Sequence, residues 1–272
     1  MKDKLRAAIF GLAIGDALGV PVEFKNRGTF RVTEMLGFGV HSQPRGTWSD
    51  DTSLTIATCD SIKRCGSIDV HDMYTRFQNW IFDGQYTVDG IVFDYGITTY
   101  AAIKQGYGEN AERSNGNGSL MRILPVAFVD ASRADIEKIS AITHAHDTST
   151  YGCVLYVDIA RKLIKGDALQ EIISAIRFET PYERLAYIQT LDETEIQSTG
   201  YVVHTLEAAI WSLLHTNNYR DAVLKAVNLG KDTDTVAAVT GGLAGIIYGW
   251  EGIPREWIEA LRGKEKIERT LF

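Results

Sequence analysis

The 272-residue sequence is poor in cysteine: Cys59, Cys65 and Cys153 are its only three, and none forms a C-x-x-C pair. An odd count without metal-ligand spacing argues against a disulfide framework and against a zinc site, and predicts reduced thiols, mostly buried, in a cytoplasmic protein. Proline is scarce as well, with five residues, and neither a low-complexity linker nor an internal repeat divides the chain. A single domain over residues 1–272 is therefore expected. No uninterrupted apolar run reaches the roughly 18 to 20 residues of a membrane span, so no membrane association is expected. The N-terminal run "AAIFGLAIG" follows positive charge as a signal peptide would, but Asp16 interrupts it and no cleavage site follows. It reads as a core helix. Basic clusters are missing too: 28 Lys+Arg stand against 35 Asp+Glu, a net charge of −7. Nucleic acid is not expected as a partner. Any anionic ligand has to be held by local devices such as helix N-termini, Gly-rich turns or bound cations, because the overall field repels it.

Strand-like alternation is also nearly absent, apart from a possible extended piece at "TFRVTEML". What fills the chain instead is helical periodicity. Leu5, Ala8, Ile9, Leu12 and Ala13 form one apolar face, and Val70, Met73, Tyr74, Phe77, Trp80 and Ile81 form another. Similar spacing predicts helices near 94–105, 133–143, 149–165, 167–178, 201–215, 219–229, 233–249 and 254–262. The fold class is all-α. Residues 20–48 and 106–120 are the least regular stretches, and such loops carry function when a rigid frame holds them.

Two acidic clusters each open an apolar helix. In "RGTWSDDTSLT", Asp50 and Asp51 stand beside the hydroxyls of Ser49 and Thr52. Helix capping alone explains a Ser-Asp start. In "NLGKDTDTVAAVTGGLAGIIYG", Asp232, Asp234 and Thr235 precede a helix that is apolar on nearly all sides and so belongs in the interior. Its glycines Gly241, Gly242, Gly245 and Gly249 weaken it intrinsically and point to close packing. Four carboxylates meeting at one place repel each other and raise their own pKa values unless cations hold them. Only Lys231 and Arg45 lie near either cluster in sequence. If the clusters converge, Mg²⁺ or Mn²⁺ bound through carboxylate and hydroxyl oxygens is the natural remedy.

A third element, "SNGNGSLMR", places a Gly-Asn-Gly-Ser turn ahead of an apolar run, "LMRILPVAFV", that reads as helical. It is either a simple helix-initiating loop or a cradle of backbone N–H groups for a phosphate oxygen. "THAHDTST" adds His144 and His146, which at i and i+2 cannot share a helix face. Each is either a satisfied core histidine or a ligand-lining one.

In chain order, "GLAIGDALGVPVEF", "GTWSDDTSLT", "GNGSLMRILPVA", "THAHDTST", "TGYVVHTLEAAIW" and "NLGKDTDTVAAVTGGLAGIIYG" together resemble the ADP-ribosylglycohydrolase family, from about residue 8 to 250. The resemblance implies a single-domain orthogonal helical bundle with a binuclear Mg²⁺ or Mn²⁺ site in a central cleft. It implies Ser49, Asp50, Asp51, Asp232, Asp234 and Thr235 as metal ligands, and Glu23 of "GVPVEF" as an acidic residue reaching towards metals or substrate. Asp50, Asp51 and Glu23 are the catalytic candidates. Gly116, Asn117, Gly118 and Ser119 match the turn that contacts the diphosphate and distal ribose, with Met121 behind it; His144 or His146, Gly200 and Tyr201 match positions around the ADP-ribose cleft.

Three departures from the family pattern stand out. Ser49 replaces a frequent Thr, Lys231 replaces a frequent small residue, and Asp147 follows His146 where Pro or another residue is often found. The implied activity is metal-dependent hydrolysis of ADP-ribose from a modified protein, foremost at the N-glycosidic bond to arginine, by a monomer. The alternatives are O-linked ADP-ribose on serine or in an ester, an ADP-ribosylated nucleic-acid base, and a non-catalytic ADP-ribose-binding or crystallin-like role.

Overall fold

A computed structural model describes all 272 residues. Twelve α-helices and short 3₁₀ turns form one domain without β-strands, as the periodicity predicts; the extended pairings amount to three isolated bridges. The helices are α1 (Lys2–Gly19), α2 (Asp50–Cys65), α3 (Val70–Asp83), α4 (Ile97–Gln105), α5 (Arg133–Ala141), α6 (Asp147–Lys165), α7 (Leu169–Ala175), α8 (Val202–Leu214), α9 (Tyr219–Asn228), α10 (Thr233–Tyr248), α11 (Arg255–Ala260) and α12 (Lys264–Thr270).

The expected helices fall within a few residues of these bounds. Their ends follow ordinary capping chemistry: Ser49 opens α2 by accepting from the Asp51 N–H, and Gly66, at φ 69°, closes it. Ser132 and Asp135 bond reciprocally at the start of α5. One expectation fails. The run after Ser119 is not an α-helix: one turn, with the Met121 N–H on the Asn117 carbonyl, leads into a 3₁₀ segment, Leu124–Phe128, where Pro125 has no N–H to continue a ladder. "TFRVTEML" joins no sheet, in keeping with the all-α reading; the Asn228 side chain pairs with both the N–H and the C=O of Val32, taking the place of a neighbouring strand.

The centre of the molecule is the pair α1 and α10. Counted through its 3₁₀ extension, the N-terminal helix does reach the length and hydropathy of a membrane span, over Lys2–Val22 with mean hydropathy 1.6, despite Asp16. Yet 94% of that window is buried inside the protein, so it is the core helix that the sequence leads one to expect. Small residues let the two backbones touch. A Cβ on Gly15 would lie 2.1 Å from the Ala237 carbonyl oxygen, and one on Gly19 would lie 2.3 Å from the backbone of Asp234. Gly241 approaches the Gly11 carbonyl in the same way. The glycines of α10 thus pack closely, with Gly249 excepted: it has open space around it and φ 68°, and ends the helix. Cys59 and Cys153 are buried free thiols, and Cys65 is an exposed one.

Candidate active site

The two acidic clusters converge. The Thr235 hydroxyl at the start of α10 donates to Asp51 Oδ2 at the start of α2, 3.3 Å away, across 184 residues of sequence. The Ser49 hydroxyl donates to the same oxygen at 3.3 Å. Asp232 and Asp234 join Glu23, which ends the turn after α1; one carboxylate oxygen from each lies within 4.8 Å of the other two. Asp232 Oδ2 accepts from Asn117 Nδ2 at 2.8 Å, which ties the glycine-rich turn to the acidic cluster.

Burial makes this arrangement costly for the bare carboxylates. Asp50, Asp51 and Asp234 are pushed well above the usual carboxylate range, first by loss of solvent and then by neighbouring carboxylates, chiefly Asp94 for Asp50 and Asp234, and Asp16 and Asp232 for Asp51. Glu23 is pushed up to about 11, by burial first and then by Asp94 and Asp232. Asp51 Oδ1 and Asp234 Oδ2 are buried without any hydrogen-bond partner, and the Asp50 carboxylate, only 6% exposed, makes no hydrogen bond in the protein. Buried oxygens with lone pairs and no donor are what a cation ligand set requires. The donors are carboxylate and hydroxyl oxygens, with no thiolate among them, so the set suits hard divalent ions such as Mg²⁺ or Mn²⁺.

A cleft of about 450 Å³ opens onto the cluster. Of the residues singled out in the sequence, Glu23, Asp50, Asp232 and Thr235 line one side of it, and Gly116, Asn117, Gly118 and Met121 line another, together with His144 and Gly200. Ser49, Asp51 and Asp234 lie behind these, buried. Ser119 turns its hydroxyl inward, where it accepts from Ser140 Oγ at 2.9 Å. His146 does not line the cleft; its Nδ1 caps α6 by accepting the Thr148 N–H. Tyr201 stands at the start of α8 with its ring edge-on to His204, outside the lining.

His144 packs beneath the turn, where a Cβ on Gly118 would lie 2.8 Å from its Cε1. Burial, aided by the charge of Arg122, lowers its pKa to about 3, so the ring is neutral. Two of the departures from the family pattern resolve simply. Lys231 is exposed and serves through its backbone, bonded to Lys25 and Phe24, and Asp147 is exposed in the first turn of α6.

The sequence matches the ADP-ribosylglycohydrolase family over residues 1–271. The chain belongs to that family. This ADP-ribosylglycohydrolase is similar to the ADP-ribosylarginine hydrolase Tri1 of Serratia proteamaculans, 34% identical over 97% of this chain and 77% of the relative. It is also similar to the ADP-ribosyl-[dinitrogen reductase] glycohydrolase of Rhodospirillum rubrum, 30% identical over 99% of this chain and 93% of the relative. A solved structure described as an ADP-ribosylglycohydrolase-related protein complex superposes with a TM-score of 0.83, at 29% identity, covering 99% of this chain and 96% of that one.

Several residues of the candidate site are not singled out by the sequence reading. Asp16 is fully buried, and its carboxylate accepts from the Ser49 N–H, the Thr52 N–H and the Thr52 hydroxyl, at 2.6–3.0 Å. It, and not Asp50, satisfies much of the start of α2. Its signal was an acid inside an apolar helix, which is costly unless partnered. His41 bonds Glu23 through Nε2 and lies 3.8 Å from Asp94 Oδ2. Asp94 itself lines the cleft with φ 52°, a left-handed backbone conformation uncommon for non-glycine residues but among those Asp adopts more readily. Nothing in a lone "FDYG" distinguishes it beforehand.

Proposed function

We propose that this family member hydrolyses the N-glycosidic bond between C1″ of ADP-ribose and an arginine side chain, and that it depends on two divalent cations for the reaction. The ligands would be Ser49, Asp50, Asp51, Asp232, Asp234 and Thr235, with Glu23 beside them. When bound, the cations supply positive charge that neutralises the acidic cluster and polarise the oxygens they hold.

The chain's own groups divide the remaining work. Asp51 is engaged by the Ser49 and Thr235 hydroxyls, whereas Asp50 faces the cleft without a hydrogen bond. Asp50 is therefore the carboxylate suited to take the proton of the attacking water. Glu23, held by His41, orients the water or the departing nitrogen. Water contributes hydroxyl to C1″, the C1″–N bond breaks, and the nitrogen takes a proton, giving free ADP-ribose and an unmodified arginine. The Gly116–Ser119 turn holds the diphosphate through backbone N–H groups, which is how a protein of net charge −7 binds an anion without a basic patch.

One observation carries the choice of arginine. The cleft is lined by the carboxylates of Glu23 and Asp94 and by the rings of Phe24 and Tyr95, 63% and 45% exposed, and by no lysine or arginine. Acids and aromatic faces favour a planar cation as acceptor over a serine hydroxyl. The name of the Tri1 relative, an ADP-ribosylarginine hydrolase, agrees with this. The test is ADP-ribose release from arginine-modified protein with Mg²⁺ or Mn²⁺, with chelator, and from a serine-linked substrate in parallel. Release from arginine that chelator abolishes is the expected result; release from serine alone overturns the acceptor. Asp234→Ala should abolish turnover with the fold retained, and activity of that variant in a metal-replete assay would refute the two-cation assignment.

A further inference from the structure

Arg122 lies directly behind the glycine-rich turn and is fully buried. Its guanidinium donates through Nη1 to the Gly118 carbonyl and through Nη2 to the Ile139 carbonyl at 3.2 Å. It stacks over the Phe77 ring with its central carbon 4.9 Å from the centroid. Nε is buried with no partner, and no carboxylate lies within ion-pair distance of it. A buried cation without a counter-ion is costly, and burial brings its pKa down only to about 10, so the charge persists at neutral pH. The Asp50 carboxylate acts on Arg122 only from beyond ion-pair distance, so no direct ion pair accounts for a cation at this position.

The geometry of the turn gives one. In a trans peptide the C=O and the following N–H point in opposite directions. Fixing the Gly118 carbonyl on Arg122 thus turns the Ser119 N–H to the side opposite Arg122, next to Gly118, which lines the cleft. The N–H groups of Gly118, Ser119 and Leu120 donate to nothing in the protein, while those of Asn117 and Met121 on either side are bonded. Three consecutive unpartnered N–H groups, the first on a residue that lines the cleft and the other two on fully buried residues just behind it, with a positive charge at their back, suit an anion seat.

We propose that Arg122 is the positioning residue for the diphosphate of ADP-ribose. It locks the Gly118 peptide so that the free N–H groups face the ligand, and it supplies from behind the turn the positive charge that the cleft surface lacks. The proposal rests on the turn being the diphosphate seat of the reading above. Arg122 touches no ligand and acts through the turn.

The test compares binding of ADP-ribose, ADP and adenosine to the wild-type protein, Arg122→Met and Arg122→Lys in the presence of Mg²⁺, with the melting temperature of each variant measured alongside. Arg122→Met is expected to lose at least tenfold in affinity for ADP-ribose and ADP and less than threefold for adenosine. Arg122→Lys keeps the charge but cannot hold both carbonyls as the planar fork does, and is expected to recover part of the loss. A folded Arg122→Met that binds ADP-ribose like the wild type overturns the proposal, as does an equal loss for adenosine, which is what general loosening of the site would give. If Arg122→Met does not fold, Arg122→Lys decides: at least a threefold loss confined to the two diphosphates supports the proposal, and unchanged affinity overturns it. A wild-type protein that fails to bind ADP-ribose overturns the functional reading and this inference together; variants that bind as well as a competent wild type overturn this inference alone.

Discussion

Gly15→Ala tests the contact that sets the site. Alanine is the better helix former by about 1 kcal/mol, so helix propensity alone predicts a more stable protein. The packing predicts the opposite. The added Cβ would lie 2.1 Å from the Ala237 carbonyl oxygen, 2.5 Å from its carbon and 2.9 Å from the Ala238 nitrogen, all backbone atoms of α10 that cannot rotate aside. A carbon-to-oxygen contact needs about 3.2 Å or more, so α1 and α10 have to part by on the order of 1 Å. Overpacking of a dense core typically costs about 1–3 kcal/mol, and a clash with backbone belongs at or above the top of that range. The net loss should be about 2–3 kcal/mol, which for a chain of this size lowers the melting temperature by roughly 5–10 °C.

The same displacement reaches the chemistry. One turn further along α1, Gly19 rests on the backbone of Asp234, and the next residue after Gly15, Asp16, holds the start of α2. Mn²⁺ affinity, measured by calorimetry on the folded variant, should fall with stability. A Gly15→Ala protein as stable as the wild type, or more stable by the helix-propensity increment, would refute the close packing of α1 on α10.

Asp16→Ala leaves the Ser49 and Thr52 N–H groups buried without their acceptor, at about 1–3 kcal/mol each, and should cut Mn²⁺ affinity at least tenfold; unchanged affinity in a folded variant would show that Asp16 does not position the first cluster. For His144 the folded-state pKa is depressed, from 6.5 to about 3, so the unfolded chain takes up the proton first and stability is lost as the pH falls from 6.5 towards 3. The full shift is worth about 5 kcal/mol, and urea unfolding of His144→Gln should show a correspondingly flatter pH dependence in that window. An equal slope in both proteins would contradict the buried neutral ring.

The carboxylates shift the other way. In chelator, Asp50, Asp51, Asp234 and Glu23 have raised folded-state pKa values, so the stability they contribute is present below about pH 4 and is lost as the pH rises, for Glu23 up to about 11. Adding Mg²⁺ or Mn²⁺ at about 100 times its dissociation constant at neutral pH should restore about 3 kcal/mol. A melting temperature indifferent to chelator would argue against cation binding at this cluster.

The helices were legible because burial on one face imposes a period of three and four that local composition displays. The run after Ser119 was not, because "LMRILPVAFV" has the apolar content of a helix while Pro125 and the turn before it deny the backbone ladder. The short α12 was missed for the same kind of reason: in "KEKIERT" only Ile267 and Thr270 are buried, too few to show a period. At the site, legibility followed sequence neighbourhood. Asp50 with Asp51, and Asp232 with Asp234, announce themselves as pairs. Asp16, His41 and Asp94 are single residues whose partners lie far away along the chain, so their significance exists only once the fold has brought those partners to them; Arg122 bonds the nearby Gly118, but nothing in the sequence shows that its guanidinium is buried there.

What the fold adds is a shared post for the two clusters. Helix α1 contributes no residue to the proposed cation ligands, yet it determines where both halves of that set stand. Through Asp16 it anchors the amide groups that begin α2, and through Gly19 it admits the backbone that begins α10. The two carboxylate pairs are therefore fixed relative to one helix and not to each other, which matters because their mutual repulsion would otherwise spread them apart. The direct link between them, Thr235 to Asp51, is a single hydroxyl-to-carboxylate hydrogen bond, worth about 1.5–3 kcal/mol and not enough by itself to oppose repulsion among four buried carboxylates. Rigidity has to come from the packed interior. That accounts for why α1 and α10, two helices buried along nearly their whole length, meet beneath the chain's most acidic site: the close glycine contacts that stabilise the core are the same contacts that hold the carboxylates together.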